Sequence, residues 1–121
     1  MKILVVDDQP GMRITLDGIL KRRGHEVVTA EGGCQAIEEL KKNNIDVVLM
    51  DIKMPGMDGV ETFLKMKEID PKISVFMMTA FAVDVQIKKA LEEGALGIIY
   101  KPFDIEKTLS MIENCVRSRR S

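Results

Sequence analysis

Short β-branched apolar runs alternate with longer amphipathic stretches along the whole chain. Ile3 to Val6, Val27 to Ala30, Val47 to Met50, Ile73 to Met78 and Gly97 to Tyr100 read as strands. About Met12 to Arg22, Gln35 to Lys42, Val60 to Ile69, Val85 to Glu93 and Ile105 to Arg117 repeat apolar residues at spacings of three and four, the mark of helices with one buried stripe. Leu16, Ile19 and Leu20 mark the inner face of the first. Gly24, Gly94 and the Asn43-Asn44 pair follow helices as stops, and Asp104 stands as an N-cap before Ile105.

Near-continuous apolar strands separated by helices predict a parallel sheet covered on both faces, because each right-handed crossover lays its helix on the sheet. The expected fold class is α/β: a doubly wound, flavodoxin-like sheet of five parallel strands in the order 2-1-3-4-5, with five helices on two faces. In such a sheet ligands sit outside the carboxyl ends, where the order reverses between strands 1 and 3. The residues that follow the apolar runs are Asp7 and Asp8, then Asp51, Thr79 and Lys101. Topology therefore gathers on one rim side chains that lie far apart in sequence.

A chain of 121 residues fits one domain, 1–121, able to bury roughly two thirds of its unfolded surface. With 45% hydrophobic and 31% charged residues it is an ordinary globular composition, which excludes an acidic disordered tail and a membrane span. Eighteen basic residues against nineteen acidic ones give no drive toward nucleic acid or an anionic membrane. The apolar segment before Asp7 is too short for a signal peptide, so a cytoplasmic location is expected. Cys34 and Cys115 lack metal-ligand or redox spacing and read as inert thiols. His25, the one histidine, reads as a surface turn residue with no nucleophile paired to it, so a phosphohistidine would have to come from a partner. The nine methionines read as core filling, and Arg117, Arg119 and Arg120 as a complement to a helix end or a frayed tail.

Three carboxylates in one crevice repel, each pair at ~4 Å by about 4 kcal/mol near a protein surface. A divalent cation removes that penalty, and hard oxygen ligands with room for water favour Mg²⁺, with Mn²⁺ as a substitute. Lys101 supplies a fixed positive charge and Thr79 a hydroxyl donor, both suited to phosphoryl oxygens. Asp51 is then the candidate nucleophile, forming an acyl phosphate, and the small Ala80 leaves the phosphoryl group room.

Asp7-Asp8 after strand 1, Asp51 followed by Met54-Pro55-Gly56-Met57-Asp58-Gly59, Thr79-Ala80 and Lys101-Pro102-Phe103 together resemble the receiver domain of two-component response regulators over essentially the whole chain. Asp7-Asp8-Gln9 and Lys101-Pro102-Phe103-Asp104-Ile105 are similar to stretches of single-domain phosphorelay receivers of the sporulation type. The resemblance implies that Asp51 takes phosphate from a sensor histidine kinase or histidine phosphotransfer protein, with Mg²⁺ required. It implies direct metal ligation by Asp8, Asp51 and the main-chain carbonyl of Lys53, with Asp7 acting mostly through metal-bound water. Lys53 and Phe81 would flank the phosphoryl group and tune its lifetime. The protein would be a phosphoacceptor and switch rather than a turnover enzyme, with self-phosphorylation from small donors and self-dephosphorylation.

The resemblance further implies a cis bond before Pro102, an isomer that costs about 0.5 to 1 kcal/mol relative to trans. Gln9, Gly11, Met12 and Thr15 match places where related receivers dock histidine-bearing helices, and helix 4, strand 5 and helix 5 match the surface where receivers signal. One departure stands out: the aromatic residue that many receivers place three before the lysine is Ile98 here, with Tyr100 offset by two. The Thr-aromatic switch is therefore in doubt. A receiver cut from a longer regulator with a DNA-binding or ATPase output domain shares every one of these residues. A small phosphohydrolase or flavin-binding domain on a similar fold fits less well, because Asp7, Asp8, Gln9 and Pro10 put negative charge where a flavin phosphate wants amide donors. Aspartate-nucleophile hydrolases separate their two acids by one residue, and here they are adjacent.

Overall fold

The computed structural model of the protein describes residues 1–80, 85–102 and 104–120, without the side chains of the last two. Five strands alternate with five helices: β1 (Lys2–Val6), α1 (Pro10–Arg22), β2 (Glu26–Ala30), α2 (Gly33–Lys42), β3 (Val47–Asp51), α3 (Gly59–Ile69), β4 (Val75–Thr79), α4 (Val85–Glu92), β5 (Gly97–Tyr100) and α5 (Ile105–Arg120). All pairings are parallel and the sheet order is β2-β1-β3-β4-β5, as the alternation predicts.

Element ends differ from the sequence expectation in instructive ways. Ile73 and Ser74 lie before β4, not in it: the Ile73 amide closes a turn on the Asp70 carbonyl, so Ile73 is apolar because it is buried, without being strand. Asp51 and Thr79 are the last residues of β3 and β4 rather than the first beyond them. Helix α1 starts two residues early because Pro10 has the φ of a first helical turn and no amide to satisfy there. The carboxylate of Asp104 accepts the Lys107 amide at 3.1 Å, the cap expected of it.

Helices α1 and α4 end alike. Gly24 (φ 89°) and Gly94 (φ 106°) adopt the left-handed conformation, and the two following amides close back: His25 N–H to Leu20 C=O, Ala95 N–H to Ala90 C=O. The α1 turn also corrects the reading of His25. Its ring is folded in against α5, with Nε2 2.5 Å from Glu113 Oε2. Asn43 ends α2 differently, by side-chain donation to the Glu39 carbonyl at 2.9 Å.

The pleat divides the core in two. Leu4, Val6, Val48, Met50, Val75 and Met77 face α2, α3 and α4 and pack with Leu40, Phe63, Met66 and Ile87. Their strand neighbours Ile3, Val5, Val47, Leu49, Phe76, Met78 and Ile99 face α1 and α5 and pack with Leu16, Leu20, Leu109, Ile112 and Val116. Strands buried on both faces are thus apolar throughout, and polar residues are confined to their ends.

Candidate functional site

Because alternate residues point to opposite faces, continuing each strand by its pleat assigns Asp7, Asp51 and Lys101 to the α1/α5 side of the rim, and Thr79 and Tyr100 to the other. Contacts agree. Asp7 is fully buried, and both carboxylate oxygens are engaged: Oδ1 accepts the Gln9 amide at 2.9 Å and Oδ2 lies 3.0 Å from Lys101 Nζ. The same ammonium lies 3.5 Å from Asp51 Oδ2. One oxygen each of Asp7, Asp8 and Asp51 falls within 4.8 Å of the others, the spacing of ligands around one cation. Asp8 is exposed, leaving the cluster open to solvent on one side.

Asp51 is only 7% exposed. Burial pushes its carboxyl up to about 6; Lys101 opposes the shift, and the neighbouring charges of Asp7 and Asp8 add to it. An acid in this position gains from any further positive charge. The donor set fits Mg²⁺: all three groups are carboxylates, and with Asp7 already holding Gln9 and Lys101, Asp8 and Asp51 have oxygens to offer.

Backbone packing fixes these side chains. The Lys101 amide donates to the Thr79 carbonyl at 2.7 Å, joining the ends of β4 and β5, and the Lys101-Pro102 bond is cis. Thr79 is buried at 1% exposure. The Gly59 amide donates to the Ile52 carbonyl at 2.8 Å, and a Cβ on Gly59 would stand 2.4 Å from the Asp51 carbonyl oxygen, so only glycine lets α3 start this close to β3.

A family model for the response regulator receiver domain matches residues 3–113. The chain belongs to that family. This receiver is 44% identical over 106 residues to the sporulation initiation phosphotransferase F of Bacillus subtilis (strain 168), covering 88% of this chain and 86% of that protein. It is 39% identical over 112 residues to the chemotaxis protein CheY of the same organism, covering 92% and 93%. Among solved structures it is similar to the response regulator protein TrrA of Thermotoga maritima in complex with Mg²⁺-BeF, with a TM-score of 0.81, 28% identity and coverage of 93% and 96%. Receivers act as phosphoacceptors and switches, bind Mg²⁺ at an aspartate cluster and interact with histidine kinases or phosphotransfer proteins.

The remaining expected residues of the receiver fall into three groups. Lys53 is exposed in the β3-α3 loop beside the cluster, whereas Phe81 lies outside the described residues. Gln9, Gly11 and Thr15 are exposed around the start of α1, while Met12 is half-buried against the α1/α5 core. Ile98 packs partly into the α2/α3/α4 core, and Tyr100 is 47% exposed.

Two residues of α1 escaped the sequence reading. Ile14 is 73% exposed, an apolar side chain on the outward face beside Gly11 and Thr15. Its signal was available: it lies off the stripe of Leu16 and Leu20. Arg13 donates to the Asp7 main-chain carbonyl at 2.6 Å and pairs with Glu31 at 3.8 Å, bracing the acidic turn. Nothing in the local sequence announces that bond.

Proposed function

We propose that Asp51 is the phosphoacceptor of the receiver domain that residues 1–121 form, taking the phosphoryl group of a partner's phosphohistidine. The observation that carries this reading is the placement of a buried Asp51 carboxylate 3.5 Å from the Lys101 ammonium, with oxygens of two further carboxylates within 4.8 Å.

An oxygen of Asp51 attacks phosphorus, the bond from phosphorus to the imidazole nitrogen breaks, and that nitrogen leaves with the electron pair and takes up a proton. Lys101 and Thr79 meet the phosphoryl oxygens as negative charge redistributes among them. Asp8, Asp51 and the Lys53 carbonyl would hold Mg²⁺ directly and Asp7 through water, since its own oxygens already hold Lys101 and the Gln9 amide. A bound Mg²⁺ would supply positive charge against three carboxylates and a ligand position for a phosphoryl oxygen. Lys53 and Phe81 tune how quickly water removes the group.

Gln9, Gly11, Met12 and Thr15, joined by the exposed Ile14, form the face that receives the histidine-bearing helix of a kinase or phosphotransfer protein. Output runs through α4, β5 and α5, where phosphorylation biases a pre-existing equilibrium. With Ile98 in the aromatic position, no ring at that place can turn with Thr79. Among the described residues, no helix is long and apolar enough to cross a membrane.

Incubation with a small phosphodonor and Mg²⁺, followed by intact mass, tests the reading. One phosphoryl group is expected on the wild type, none in the presence of a chelator and none on Asp51→Asn. Equal labelling of that variant would remove Asp51 from the role.

A further inference from the structure

Helix α4 is tied to α3 at both of its ends, by bonds of different kinds. At its C-terminal end Lys67 of α3 donates to the Glu93 main-chain carbonyl, stands 3.6 Å from the Glu93 carboxylate and lies over the Phe63 ring at 5.5 Å from its centroid. Lys89 adds a second pair to Glu93 at 2.8 Å, and Gly94 then turns the chain. At its N-terminal end a side-chain bond spans the gap: Gln86 Nε2 donates to Asp58 Oδ2 at 2.5 Å.

Asp58 is no ordinary surface acid. Its other oxygen accepts the Glu61 amide at 2.9 Å as the N-cap of α3, and its carbonyl accepts both the Thr62 amide and the Thr62 hydroxyl. The next residue, Gly59, bonds the Ile52 carbonyl directly after Asp51. A continuous chain of contacts thus runs from the phosphoacceptor strand through Gly59 and Asp58 to Gln86 and α4. Asp58, Gln86 and Lys53 also line one open surface pocket of about 460 Å³.

We propose that Gln86 is a positioning residue, the latch that holds the first turn of α4 in the unphosphorylated state. Helix α4 pivots on its Lys67-Glu93 end when the latch opens. The latched end of α4 is the one that follows Thr79, the residue assigned to the phosphoryl group, by six positions in sequence. A latch made in the unphosphorylated state and opened in the phosphorylated one has a differential effect on the two states. This inference rests on the phosphoacceptor reading for its functional consequence, but not for the existence of the latch.

Gln86→Leu removes the donor at similar size, and Gln86→Glu sets a second carboxylate against Asp58. Two measurements on each variant test the proposal: amide hydrogen exchange of α3 and α4 without ligand, and the apparent affinity for beryllofluoride in saturating Mg²⁺. Both variants are expected to speed exchange in the first turn of α4 while α3 stays protected. Both are expected to bind beryllofluoride about three- to tenfold more tightly, the effect of removing one hydrogen bond to a carboxylate from the competing state. Wild-type exchange in α4 of both variants would overturn the latch. So would faster exchange with equal or weaker beryllofluoride binding. If the wild type itself binds no beryllofluoride, the phosphoacceptor reading fails while the exchange result still decides the latch.

Discussion

Lys101 Nζ lies 3.0 Å from Asp7 Oδ2, joining residues ninety-four positions apart on the rim of the sheet. The bond places a positive charge between Asp7 and Asp51 before any phosphoryl group arrives, so the site is arranged in advance for the charge it will meet. Replacement of the ammonium by an apolar chain of similar length, Lys101→Met, is expected to slow phosphorylation on the order of 10²-fold. Mg²⁺ binding should survive, as measured by thermal shift across a Mg²⁺ titration. Loss of metal binding with unchanged labelling would reverse the assigned role.

Asp51→Asn should stabilise the metal-free protein. The Asp51 carboxyl rises from 3.8 to about 6 on folding, so between these values the native state binds more protons than the unfolded chain. Stability from this group therefore falls as pH rises through the window from about 4 to about 6, and the charged form is penalised above it. A shift of this size corresponds to about 1–3 kcal/mol at pH 7.5. Denaturant unfolding in chelator should show the variant more stable than wild type by that order at pH 7.5, with a flatter profile between pH 4 and 6.

Glu113 behaves in the opposite sense. The Arg23 fork, with Nη2 2.6 Å from Glu113 Oε1, is the main cause that holds its carboxyl below the ordinary value of 4.5; His25 adds to it. Its contribution is present above that value and is lost as pH falls below it through the lowered one. Glu113→Gln should lower the melting temperature at neutral pH and narrow its difference from wild type below pH 4.5. A constant difference across that range would show that the pair does not titrate with folding.

Gly59→Ala tests the approach of α3 to β3. The added methyl would meet the Asp51 carbonyl oxygen at 2.4 Å and Ile52 Cα at 2.8 Å, both backbone atoms that cannot swing aside. A loss of about 1–3 kcal/mol in stability is expected, together with slower phosphorylation in the fraction that remains folded, as read by intact mass.

The sheet order was legible because each strand is buried on both faces and so declares itself as an apolar run. The same rule gave a false start at Ile73, which is buried in a turn. Lys101 and Asp7 could be brought together from sequence only through the topology, since the switch point between β1 and β3 needs no knowledge of side chains. Side-chain bonds that obey no such rule stayed hidden. Arg13 to the Asp7 carbonyl and Gln86 to Asp58 depend on how two helices sit on neighbouring loops, and His25 on a turn that folds its ring inward. Ile14 was visible as an apolar residue off the buried stripe, but its exposure became plain only once α1 was packed.

The most direct test of the account is to locate the phosphoryl group. After labelling with a small phosphodonor and Mg²⁺, borohydride reduction converts an acyl phosphate to an alcohol, and peptide mapping then identifies the modified residue. The account predicts reduction at Asp51 alone. Modification at Asp8 or Asp7, or a phosphoryl group that resists borohydride and maps to His25, would contradict it.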